Sequence, residues 1–203
     1  MKSMTRYIAA AFLAAAAVLP AGAQMIKMNA PAILAGVPNI GYEHAFTPRF
    51  SASVDALWAP YHKHSTGEYF RSFQTGAELR YYFKGSEHPG DYIATGWYAG
   101  AYALYGDFNI GFLRHNDPLN SFRRKGYDVS AGICGGWKYE FNRHWQMDIN
   151  LGIGYALLVY DKYRLAGPEA SIPFKKKQTR NWIGPTRFSI SFGYIINCGC
   201  RKH

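Results

Sequence analysis

From Thr186 to Ile196 the chain reads TRFSISFGYII, in which Phe188, Ile190, Phe192, Tyr194 and Ile196 alternate with Arg187, Ser189, Ser191 and Gly193. An apolar residue at every second position is the period of a β-strand with two unlike faces, not of a helix. The pattern recurs from Tyr127 to Phe141, where Val129, Ile133, Trp137 and Tyr139 share a face and Asp128, Ser130, Cys134, Lys138 and Glu140 share the other. It resumes from Trp145 to Val159, with Met147, Ile149, Leu151, Ile153, Tyr155 and Leu157 set against Gln146, Asp148, Asn150, Gly152 and Gly154. Both runs cover about 15 residues, well beyond the usual strand length of about 5–6.

Shorter copies lie upstream. Phe50 to Trp58 alternates with Ser51, Ser53 and Asp55; Phe73 to Phe83 alternates with Glu78 and Arg80; Ile40, Tyr42 and His44 alternate with Asn39, Gly41 and Glu43. The stretch Ile93 to Phe108 is extended but less regular, because Tyr98 and Tyr102 fall on the face that carries Gly96 and Gly100. Connections alternate between short (46–49, 84–92, 142–144) and long and polar (60–68, 107–125, 161–180). Outer-membrane barrels show this asymmetry between brief inner turns and longer external loops. Counting back from the last strand gives seven segments down to Ile40, and an even number requires an eighth, Ile26 to Ala35, with Gly36-Val37-Pro38 as the outer turn. The fold class expected is all-β, an eight-stranded antiparallel transmembrane β-barrel of outer-membrane type.

Which face is the inside follows from the residues on each. Glu43, Asp55, Glu78, Arg80, Asp128, Lys138, Glu140, Asp148 and Arg187 stand among Gly and Ser, a mixture of small residues and both charge signs. It suits the narrow lumen of such a barrel as a polar network. Trp58, Trp137, Trp145, Trp182, Tyr81, Tyr139, Tyr160 and Tyr194 lie near strand ends, where aromatic girdles belong. The greasy face is then expected to meet lipid. The alternative is a soluble periplasmic barrel with the apolar face inward, holding an apolar ligand.

Composition agrees with an exported β-protein. The chain has 16 Tyr, 13 Phe, 5 Trp and 21 Gly in 203 residues. Met1 to Gln24 opens with Lys2 and Arg6, continues with an apolar run to Leu19 and ends on Ala21-Gly22-Ala23. This is the pattern of a secretory signal, so the organisation expected is a signal peptide over 1–23, a barrel over 24–197 and a tail over 198–203. Losing Lys2 and Arg6 takes the formal charge from +10 to +8. Positive charge on an exported chain points to anionic envelope partners, and no nucleic-acid motif occurs. Arg114, Arg123, Arg124, Lys125, Lys162, Arg164, Lys175, Lys176, Lys177 and Arg180 lie in the expected external loops. They can hold outer-membrane lipid, lipid A phosphates or an acidic polymer through charge-assisted contacts.

Candidate chemistry is sparse. Cys134 interrupts a strand as a small buried residue, while Cys198 and Cys200 follow the last strand as a tail thiol pair. His62 and His64 stand beside Ser65 and Glu68, and His115 near Asp117 and Ser121, but neither a Gly-x-Ser-x-Gly nor a His-Glu-x-x-His pattern occurs. No catalytic residue, metal site or cofactor is expected.

Ile183-Gly184-Pro185-Thr186, YDKY at 160–163 and PNIGYEHAFTPRFSASVDALWAP at 38–60 together resemble an uncharacterised family of exported bacterial proteins of Bacteroidetes type, domain of unknown function 3575. The resemblance covers nearly all of the chain after the signal. It implies an outer-membrane barrel, without established catalytic residues, and for some members an association with surface fimbriae. The Cys-x-x-Cys that many members carry after YDKY is replaced here by RLAGPEASIPFKKK. The function expected is a structural or surface-interaction role in the cell outer membrane, with a surface protein as a further partner. A lipid A-modifying enzyme is the alternative.

Overall fold

Period-2 segments that cannot bury both faces must pair edge to edge, and eight of them in sequence order close on themselves. The computed structural model describes residues 22–63, 68–85, 92–111, 122–164 and 173–197. Its strands are β1 (Ala23–Asn29), β2 (Asn39–Ala45), β3 (Phe50–Lys63), β4 (Glu68–Tyr82), β5 (Gly96–Gly111), β6 (Phe122–Glu140), β7 (Trp145–Arg164) and β8 (Pro173–Asn197). Each pairs antiparallel with the next, and β1 pairs with β8, completing a closed barrel of eight strands. The expected fold class of eight antiparallel strands is what the chain adopts.

The apolar set faces outward. Ile183, Ile133, Trp97, Leu79 and Phe188 are all 60% exposed or more, whereas Arg80, Asp148, Glu78 and Asn150 are at most 2% exposed. Two aromatic rings bound the outer surface. Phe50, Tyr81, Trp97, Tyr139, Trp145 and Tyr194 ring the end with the short turns; Trp58, Phe73, Tyr105, Tyr127 and Tyr155 ring the barrel further along. Between and including the two rings lie nine residues on each of β3, β4 and β5, thirteen on β6 and eleven on β7.

The lumen is filled by side chains of unequal size. Tyr98 and Tyr102 project from β5 across it, which explains the irregular alternation of this strand. They lie over glycines of β6 and β7: a Cβ on Gly136 would come within 2.3 Å of the Tyr98 hydroxyl, and one on Gly132 or Gly154 within 2.8 Å of the Tyr102 hydroxyl. Tyr102 also shares a hydrogen bond with Thr186 of β8, tying opposite walls together. The short-turn end is closed from within by the segment before β5, where Ile93 packs with Ala23, Met25, Ala45 and Ile195, and Ala94 with Tyr82 and Tyr98.

Four sequence expectations are corrected. The first strand is Ala23–Asn29, not Ile26–Ala35, and the short helix α1 (Ala30–Leu34) follows it. Pro31, which has no N–H to give a sheet but fits the first turn of a helix, ends the strand there. Asn29 N donates to Asn39 Oδ1 at 2.6 Å and Asn39 Nδ2 to Asn29 O at 3.1 Å, joining the ends of β1 and β2. Secondly, the long loops are shorter than expected, because β3 to β8 run on through much of 60–68, 107–125 and 161–180. Thirdly, β8 bulges at Thr186: Gly152 pairs with Arg187 and Ile153 with Pro185, so alternation changes sense. Trp182 therefore pairs with inward-facing Ala156 and is not part of the outer girdle. Fourthly, Tyr160 lies opposite Gly126 and meets Phe108 on the inner side, 6.5 Å between ring centroids.

Substituting Val for Gly132 would drive Cβ to 2.2 Å from the Ile153 carbonyl oxygen, a backbone atom that cannot yield. We expect G132V to lose about 1–3 kcal/mol, the usual cost of overpacking. The check is the urea midpoint of the detergent-folded barrel at unchanged slope. An unaltered midpoint would contradict the tyrosine-over-glycine packing of the lumen.

Candidate functional site

Inward positions on seven strands bring four carboxylates and four cations together inside the barrel. Glu43 (β2), Asp55 (β3), Glu78 (β4) and Asp148 (β7) meet Lys27 (β1), Arg80 (β4), Lys138 (β6) and Arg187 (β8). Lys27 Nζ lies 2.7 Å from Glu43 Oε2 and 3.1 Å from Asp148 Oδ2. Arg80 reaches three carboxylates, with Nη1 2.6 Å from Asp148 Oδ2 and 3.2 Å from Glu43 Oε2, and Nε 2.6 Å from Glu78 Oε1. Lys138 donates to Glu43 Oε1. Arg187 bonds Asp55 through Nη2, and its Nε stands 3.1 Å from Glu78 Oε2.

Neutral donors complete the set. Glu43 Oε1 also accepts from Ser51 Oγ at 2.9 Å and Tyr82 OH at 3.0 Å. Tyr98 OH donates to Asp148 Oδ1 at 2.7 Å, and Asn150 Nδ2 donates to Glu78 Oε1 at 2.8 Å and Tyr98 OH at 2.9 Å. The Cys134 thiol points at Glu78 Oε1, 3.2 Å away, so it is a buried weak donor as its place in the strand suggests. Arg80 lies 4.5 Å from the centroid of the Tyr98 ring and Lys138 4.9 Å from that of Tyr82, so the rings screen both cations from the rest of the lumen.

Buried charge is tolerable only where each ion is paired and its remaining hydrogen-bonding capacity is met. Here four positive and four negative side chains cancel, and every carboxylate touches at least one cation. Such a cluster ties the strands to one another across the lumen.

Of the nine expected lumen residues, Glu43, Asp55, Glu78, Arg80, Lys138, Asp148 and Arg187 meet in this cluster. Asp128 faces the lumen further along, packed over Gly106, where a Cβ would come within 2.3 Å of its Oδ1. Glu140 lies at the end of β6, opposite Gln146. Lys27 was not among the expected residues. Its signal was alternation with Ile26 and Met28, masked by a strand of only seven residues.

The basic residues sit on strands rather than in loops, apart from Arg114, which lies outside the described residues. Arg123, Arg124 and Lys125 begin β6, Lys162 and Arg164 end β7, and Lys175, Lys176, Lys177 and Arg180 begin β8. All are therefore at the end of the barrel away from the short turns. Arg123 lies 4.7 Å from the Tyr163 ring centroid, and the Lys177 N–H donates to Asp161 Oδ1 at 2.7 Å. His64, His115, Cys198 and Cys200 lie outside the described residues, and of His62 only its place on β3 is described. Among the described residues no three His, Cys, Asp or Glu side chains gather to hold a metal ion.

An inward charge cluster within an outward apolar wall defines a closed, inside-out eight-stranded barrel. Residues 7–196 match the family described as protein of unknown function DUF3575, and the chain belongs to it. No curated protein and no solved structure matches the chain.

Asp148 pairs with both Lys27 and Arg80, so neutralising it strands buried positive charge. D148N is expected to lose about 3–5 kcal/mol, the cost of breaking a buried pair by removing one partner. The double variant K27M/D148N should recover part of that loss in the same urea titration. Strictly additive losses would mean that the two side chains do not interact.

Proposed function

We propose that this chain is an integral protein of the bacterial outer membrane, exported by the signal at 1–23, with a structural or surface-interaction role and no catalysis. The observation that carries the proposal is the inverted surface: large apolar side chains outside, paired charges inside. A water-soluble barrel would face the cost of exposing this whole belt, whereas in lipid the belt is solvated and the closed ring leaves few unpaired backbone groups. The spacing between aromatic rings, nine to eleven residues on β3, β4, β5 and β7 and thirteen on β6, is close to the roughly 9–11 tilted residues that cross a bilayer. Aromatic rings at both borders suit the two interfaces.

With the short turns in the periplasm, the strand extensions carrying Arg123, Arg124, Lys125, Lys162, Lys175, Lys176, Lys177 and Arg180 stand outside the cell. There they are placed to bind lipid A phosphates or an acidic surface partner. The family resemblance suggests surface assembly, including fimbriae, as the setting. The paired lumen charges and the Ile93 plug argue against a solute channel, and against an enzyme that uses the lumen as its site.

Heat-modifiable mobility tests this reading. Isolated outer membranes should hold a band that shifts on a denaturing gel only after boiling, and the purified barrel should show no steady conductance in a planar bilayer. Recovery as a soluble periplasmic protein with no shift would refute it.

A further inference from the structure

The barrel wall has a step. β1 ends at Asn29 opposite Ser191 of β8, and β2 begins at Asn39 opposite Leu57 of β3. Beyond these points β8, from Pro173 to Ile190, pairs with β7 on one side, and among the described residues no strand covers its other side, although the short α1 packs against β8. The Trp58 N–H still donates to Pro38 O at 2.9 Å, and from Ala59 to Lys63 β3 pairs only with β4. The step begins between the two aromatic rings, since Trp58 belongs to the farther one and Ser191 lies well below it.

Both strand edges are unsuited to receiving another strand. β3 carries Pro60, and β8 carries Pro185 after Gly184, at φ 154, with the bulge at Thr186. Proline removes an edge donor and a bulge twists the edge away, two devices that prevent strand addition. Unpaired backbone at membrane depth is tolerated where it borders a polar cavity. Such a cavity, of about 210 Å³, lies directly behind the step. Its lining includes inward Lys27, Arg80, Arg187 and Asp55, and also Ile40 and Phe188, which face outward on β2 and β8. The cavity thus extends from the lumen charges to residues of the outward face at the step.

The charges it presents are not balanced, although the cluster as a whole is. Three cations and one carboxylate line it, while Glu43, Glu78 and Asp148 stand behind the cations. Arg187, with a side chain only 10% exposed, has an Nε without an aligned hydrogen-bond acceptor, and Asn29 Oδ1, another atom of the lining residues, has no hydrogen-bond donor of suitable geometry. A group that fits is anionic, carries hydroxyl or ester oxygens, and remains attached to chains that stay outside against Ile40 and Phe188.

Building on the membrane placement above, we propose that the step is a lateral portal through which the head group of an anionic glycerophospholipid enters the cavity. Its phosphate sits against Arg187 and Lys27, and its acyl chains remain in the bilayer. The cavity is below the roughly 300 Å³ at which sites for drug-sized ligands begin. That is room for a phosphate and glycerol, and too little for the phosphorylated disaccharide of lipid A.

The test uses the full mature barrel folded in detergent, its fold verified by heat-shifted mobility. Phosphatidylglycerol, phosphatidylcholine and lipid A are added in separate samples, and bound lipid is counted by native mass spectrometry. Ser189→Trp and Leu57→Trp fill the cavity from opposite walls without removing an ion pair, and either one that keeps the heat shift serves as the control. The wild-type barrel is expected to retain a single phosphatidylglycerol, with retention reduced roughly tenfold in the filled variant. No retained phosphatidylglycerol, equal retention in the filled variant, equal phosphatidylcholine, or preferential lipid A would each overturn the portal. A wild-type chain without a heat shift would instead overturn the membrane reading on which it rests.

Discussion

The structure depends on one constraint: eight strands enclose a space just wide enough for side chains to fill. This chain fills it with ions. With apolar side chains committed to the outer wall, the lumen takes the polar half of every strand, and Glu43, Glu78, Arg80 and Asp148 become almost wholly buried. Charge in that position must be neutralised locally, so the registers of β1, β2, β4, β6, β7 and β8 are fixed together. A slip of one residue in any strand would turn its apolar set inward and carry its ion out of reach of its partners.

Steric fit follows from the same limit. Two tyrosines fit in so narrow a lumen only if the wall beside them gives way, and the neighbouring β6 and then β7 give way through Gly132, Gly136, Gly152 and Gly154. The hydroxyls then serve the network: Tyr98 bonds Asp148, and Tyr102 bonds Thr186 at the point where β8 bulges. The bulge gives β8 its change of face, puts Pro185 on an unpaired edge and leaves the wall stepped beside the short β1. The departures from regular alternation thus concentrate on one side of the barrel, where the cavity opens.

Strands were legible wherever their two faces meet unlike surroundings. β6, β7 and the final part of β8 show it as clean alternation, and the inward charges of β4 and β7 could be named from parity alone. Alternation faded beyond the outer girdle, where both faces of β6, β7 and β8 are polar; the sequence there reads as loop although the ladder continues to Arg164 and from Pro173. The bulge was illegible because nothing in TRF marks which residue leaves the ladder, and this misplaced Trp182. Lys27 is not legible as a lumen residue because Pro31 and α1 cut β1 to less than the span from which a period can be judged. The basic residues were visible as composition, but only pairing shows that they extend from the barrel wall.

Contact between the outward face and acyl chains, proposed above, can be read from the tryptophans. Four of the five tryptophans, Trp58, Trp97, Trp137 and Trp145, are on the outer face, and Trp182 is on the inner one. The most direct measurement is tryptophan fluorescence of the W182F barrel reconstituted in phospholipid brominated along its acyl chains. Strong quenching relative to unbrominated lipid, with little added quenching by aqueous iodide, is the result predicted. Iodide quenching with no effect of bromine would place the apolar wall outside the bilayer and contradict the account.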